Sequence, residues 1–160
     1  MGLNLRKREL PTVNFRSNDL PKELADGVEC FIAISARAAG PLNVEYMAAM
    51  EQVGINAKVN DRKVDRIEDD EANVRAAVKG SKEVGRQMFA AIYDTCVLEW
   101  STNIIDADTG KPLEGDRDTF LALAELRGFP EIADAISKFK QECLEAGRKM
   151  QEEDEETVKN

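Results

Sequence analysis

From Glu71 to Trp100, apolar residues return every three or four positions: Val74, Val78, Val84, Met88, Ile92, Cys96 and Trp100, with Ala77, Phe89, Tyr93 and Val97 beside them. That spacing sets them on one face of a helix. The run is far longer than the roughly 10–14 residues of an ordinary globular helix, and its second half is the packing centre of the chain. Gly80-Ser81 and Gly85 fall in the first half, where they lower helix propensity or mark a bend. The expectation is therefore either two helices meeting near Gly80 or one kinked helix.

The flanking segments build around this element. Val28 to Ala36 is rich in Cys, Phe and Ile between Gly27 and Gly40, which predicts a strand. Val13 and Phe15 suit a short edge strand within an otherwise irregular N-terminal arm, residues 1–27. Asn43 caps a helix carrying Val44, Met47, Ala48 and Met50, and Gly54 is read as its end. Ile55, Ala57 and Val59 alternate, which allows a short strand before a charged connection. Further on, Asp116 or Asp118 caps a helix with Phe120, Leu121 and Ala124, closed by Gly128. Pro130 opens the last helix, with Ile132, Ile136, Phe139, Cys143, Leu144 and Met150. The acids Glu152 to Glu156 predict a solvated, disordered tail over residues 151–160. The chain is long enough for one domain with a real core, placed at residues 28–150. The expected architecture is mainly α with a short N-terminal β element, a small helical bundle of about four or five helices.

Composition narrows the chemistry. No histidine is present, which excludes His-based triads and HExxH metal sites. The net charge of -9 argues against a nucleic-acid partner. Cys30, Cys96 and Cys143 stand far apart in apolar company, so they read as buried free thiols of a reducing compartment. The longest mostly apolar run, Val28 to Leu42, is broken by Glu29, Arg37 and Pro41, which speaks against a membrane span. Arg6 at the sixth position breaks a myristoylation match at Gly2. Asp94 and Glu99 fall off the main apolar stripe and read as surface acids. Neither a GxxxxGK[ST] nor a GxGxxG motif occurs, so no cofactor is expected.

The stretch WSTNIIDADTGKPLEG, Trp100 to Gly115, requires separate treatment. As a calcium loop counted from Asp106 it offers Asp108 at the third position. Gly110 then takes the fifth, Lys111 the sixth and Arg117 the twelfth, so the ligand set fails and no metal is expected. As a turn it works: an Asp side chain can bond to nearby amides, Gly110 takes the left-handed position, and Pro112 stiffens the exit. Ile104, Ile105 and Leu113 can then fold back onto the helices, making the loop a rigid clasp. Trp100 reads as a core anchor. The alternative is a half-exposed aromatic gripping a partner beside Pro112 and Leu113. Gly85, Ala90 and Ala91 would allow close helix approach within one chain or between copies, leaving self-association open.

The segment LEWSTNIIDADTGKPLEGDRDTFLALAE, Leu98 to Glu125, resembles the tail assembly chaperones of long-tailed bacteriophages. A helix ending in Trp, a D-x-D-G-K-P-L type turn and an acid-capped helix follow one another in that family. Two departures stand out here: Thr109 precedes Gly110, and Glu114-Gly115 stand where an apolar or aromatic step often follows. The resemblance implies a non-enzymatic, mostly helical protein of the infected host cytoplasm, absent from the mature virion. Its implied partners are the tape measure protein, held soluble, and tail tube subunits recruited to it. The matching positions, Trp100, Asp106, Asp108, Gly110, Lys111 and Pro112, are expected to act as scaffold, or with Leu113 as partner-binding residues. Met47, Met50 and Met88 are candidates for a client-facing surface. Two other classes share the acidity and size: a virion neck or tail-completion adaptor, and a small bacterial regulatory protein-binding domain.

Overall fold

The computed structural model describes residues 9–126 and 128–159. The order of elements is β1 (Thr12–Leu20), a single 3-10 turn (Lys22–Ala25), β2 (Cys30–Arg37), α1 (Val44–Asp65), α2 (Asp70–Cys96), β3 (Val97–Thr102), α3 (Arg117–Glu125) and α4 (Pro130–Lys159). The mostly helical character is as expected. The bundle is not, because the strands form an antiparallel sheet in the order β1-β2-β3 that carries part of the core.

Alternation along β2 sets the layers. Cys30, Ile32, Ile34 and Ala36 are buried on one face, with Ile92, Cys96, Phe120, Ile136, Phe139 and Cys143 of the helices packed over them. The other face, with Arg16, Ala33, Ser35 and Ser101, stays open. β1 reaches the core with both Phe15 and Leu20, five positions apart. An irregularity between Ser17 and Leu20 adds one residue to β1, which lets both point inward. The supposed N-terminal arm therefore belongs to the domain over residues 9–27, with Ala25 also buried; residues 1–8, including Gly2 and Arg6 to Arg8, lie outside the described residues.

Two further expectations need correction, and one alternative falls away. Gly54 does not end α1. It keeps a right-handed backbone, and Ile55, Ala57 and Val59 continue the helix because Asn56, Asn60 and Val64 all have partners on α2. Asn56 Nδ2 donates to Gln87 Oε1 at 3.2 Å, and Asn73 Nδ2 donates to the Val64 carbonyl at 2.8 Å. Of the two alternatives at Gly80, two separate helices do not form: α2 runs from Asp70 to Cys96 as one helix. Gly80 is buried against the Asn60 side chain, which occupies the place a Cβ would take, so its use is close helix approach. The tail is not disordered as expected: α4 runs on to Lys159, helped by Arg148 pairing with both Glu145 and Glu152 one turn either way and by Thr157 bonding back to the Glu153 carbonyl.

At the C-terminal end of α3, Gly128 is not the cap. The helix closes at Leu126, whose N–H donates to the Leu123 carbonyl at 3.3 Å. Caps at the helix starts follow the sequence: Asn43 for α1, Asp116 for α3, and Pro130 as the first residue of α4.

Candidate functional site

Trp100 lies in β3 and not at the end of a helix. Its backbone pairs with Ile34, and its side chain is only 5% exposed. The indole meets Phe120 edge-on at 5.6 Å, and its Nε1–H donates to the Asp116 carbonyl at 3.0 Å. Asp116 is also the cap of α3, accepting the Thr119 N–H at 2.8 Å. One tryptophan thus ties the sheet to the start of α3. Gly115 permits this approach, since a Cβ there would sit 2.2 Å from the Trp100 carbonyl oxygen.

The loop between them is built by local bonding. Ile104 is buried, Asn103 takes over the ladder by accepting from Phe31 N–H at 2.9 Å, and Ile105 N–H donates to the Leu24 carbonyl at 2.8 Å. Ile105 then bridges Pro112, and Leu113 N–H donates to the Ile104 carbonyl at 2.8 Å. Inside this miniature hairpin, Asp106 Oδ1 accepts the Asp108 N–H at 2.9 Å, its carbonyl accepts from Gly110, and its own N–H donates to the Lys111 carbonyl. Gly110 has φ of 71°, the left-handed value the turn requires. Leu113 packs against the core, while Asp108, Lys111 and Pro112 are exposed. The structure brings Trp100, Asp106, Gly110, Pro112 and Leu113 into one clasp over the edge of the sheet.

No group of three or more His, Cys, Asp or Glu among the described residues is placed to hold a metal ion, and no helix among them is long and apolar enough to cross a membrane. Asp94 is held by Arg117 through a two-bond fork at 2.7 and 3.1 Å, which pushes the guanidinium pKa up. Glu99 lines a shallow groove of about 420 Å³ on the open sheet face beside Asn14 and Arg16, with no second carboxylate in its lining. The three thiols are free and buried, and burial raises the pKa of each, Cys143 to about 12.

The methionine candidates separate. Met47 is 45% exposed on α1, Met50 packs against the core, and Met88 is half-buried on α2. Sequence reasoning missed the other exposed aliphatic residues of the α1–α2 hairpin. No residue from Gly54 to Lys79 is buried, so the outer part of the α1–α2 hairpin packs chiefly on itself. Val44, Ile55 and Val59 on α1 and Val74 and Val78 on α2 are all exposed. Val74 and Val78 share the helical face of the buried Ile92 and Cys96 yet lie in the open, because helical periodicity reports a face and cannot report where its cover stops. The chain matches no family model, no curated protein and no solved structure.

Proposed function

We propose that this protein is a non-enzymatic tail assembly chaperone of a long-tailed bacteriophage. In this role it holds a tape measure protein soluble in the host cytoplasm and recruits tail tube subunits to it. One observation carries the reading beyond the resemblance at Leu98–Glu125: a helical hairpin without buried residues over its outer part displays aliphatic side chains on both helices. Such a surface suits transient capture of an apolar helix. The clasp acts as scaffold, fixing β3 against the start of α3, and Met47 is a further exposed, adaptable side chain on α1.

Quantitative mass spectrometry of infected-cell lysate and of purified particles tests the reading. A chaperone is abundant in the lysate and lost from mature particles. A fixed copy number in purified particles would replace this reading with that of a neck or tail-completion adaptor.

A further inference from the structure

The apolar stripe of α2 is longer than the body that covers it. Val74, Val78, Gly85, Phe89, Ile92 and Cys96 follow at spacings of four, seven, four, three and four, which keeps them on one face. Burial falls steadily outward: Ile92 is 1% exposed, Phe89 half-buried, Val78 50% exposed and Val74 61%. Where α3 ends at Leu126, itself exposed, a groove of about 560 Å³ opens over Gly85 and Phe89.

A second pattern runs beside the first. Arg75, Lys79, Lys82 and Arg86 recur at spacings of four, three and four, forming a cationic row along one flank of the stripe. Arg75 is paired with Glu71 and Arg86 with Glu125, whereas Lys79 and Lys82 make no ion pair among the described residues. This row stands out in a chain of net charge -9. Among the described residues the groove wall carries two acids, Glu125, paired with Arg86, and Glu83.

We propose that the stripe from Val74 to Phe89, with its cationic row, is a docking site for an amphipathic client helix whose apolar face is flanked by Asp or Glu. The exposed stripe spans about 22 Å, four turns of a helix. A helix laid along it sets its apolar residues on Val74, Val78 and the Phe89 groove and turns its carboxylates to Lys79 and Lys82. The aliphatic contacts supply affinity, and the charges set orientation and exclude basic helices. The site deepens the chaperone reading and rests on it for the identity of the client.

The probes are two labelled helical peptides of about 18 residues with the same leucine face, one flanked by Glu and the other by Lys, titrated against the full chain by fluorescence anisotropy. The Glu peptide is expected to bind about tenfold or more tightly than the Lys peptide. Lys79→Glu with Lys82→Glu should reverse that preference, and Val74→Asp with Val78→Asp should weaken the Glu peptide about tenfold or more. Circular dichroism melts establish that each variant is folded, and the charge reversal, at exposed side chains, tests the site even if the valine variant melts early. Equal binding of the two peptides, or binding untouched in both variants, would overturn the proposal. So would a change of oligomeric state in the valine variant without loss of peptide, which would assign the stripe to a second copy. In cells, tape measure protein kept soluble by the wild type and the valine variant alike would refute the site and leave the chaperone reading standing. Glu-peptide selectivity without any holding of the tape measure protein would support the site and refute that reading.

Discussion

Replacing Gly147 by Ala tests how closely α4 must approach the segment that follows β2. Gly147 is buried, and a Cβ there would lie 1.6 Å from the Ala39 carbonyl oxygen and 2.8 Å from its carbon. These are backbone atoms, so no side chain can swing away. At the same crossing the Ala39 N–H donates to the Cys143 carbonyl at 3.1 Å, and moving the helix outward breaks that bond. Overpacking costs about 1–3 kcal/mol, and the lost bond about 1 kcal/mol. Alanine returns about 1 kcal/mol of helix propensity. The balance is a loss of about 2 kcal/mol, or about 4–8 °C in Tm for a chain of this size. Gly54→Ala is the control: it sits mid-helix with nothing within 4 Å of the new Cβ, and should stabilise by about 0.5–1 kcal/mol. Urea unfolding followed through the single tryptophan and by circular dichroism reads both. A Gly147→Ala variant as stable as the wild type would refute the close crossing.

Asn43→Ala should cost about 2–4 kcal/mol in the same assay. The side chain is buried, caps α1 through Tyr46 N–H and donates to the Ala38 carbonyl at 3.0 Å; a loss comparable to an exposed cap would contradict that role. Acid should weaken the fold through Asp116, whose carboxyl is held below its ordinary value by the Thr119 N–H, and Glu145, lowered by its hydrogen bond to Arg148. Their folded values lie below the unfolded ones, so their contribution is complete above the ordinary carboxylate range and is lost as pH falls through the lowered values. Asp116→Asn with Glu145→Gln should flatten the decline below about pH 4, and an unchanged slope would contradict this. The thiols behave oppositely: with folded values raised above unfolded ones, their contribution is complete below about pH 9 and fades as pH climbs toward the raised values, about 12 for Cys143. A thiol-specific chromophore at pH 8 should find no reactive cysteine in native protein and all three in urea; a thiol that reacts promptly in the native protein would refute its burial.

The sequence displayed some of this fold and concealed the rest for definite reasons. β2 was visible because a short apolar run between glycines has few other uses. α4 was visible because its stripe and Pro130 agree. β3 was hidden: Cys96 and Trp100 are four apart, a spacing that fits a helical turn and a strand equally well. A register shift opposite Ser35 and Ala36 leaves Leu98 unpaired and 51% exposed, which blurs the strand alternation further. α1 was cut short because a glycine at a right-handed position looks, in sequence, like one that ends a helix. The turn chemistry of Asp106 and Gly110 was legible, being local. The hairpin surface was not, because its exposure depends on where α3 and α4 stop, and that is a property of the whole fold.

Co-expression with a tape measure protein, scored by client solubility and by light-scattering mass of the purified complex, tests the central claim most directly. The account predicts a client that is soluble only when this chain is present, in a complex of defined ratio that Val74→Asp with Val78→Asp disrupts. A client that stays insoluble while this chain assembles alone into closed rings would contradict it.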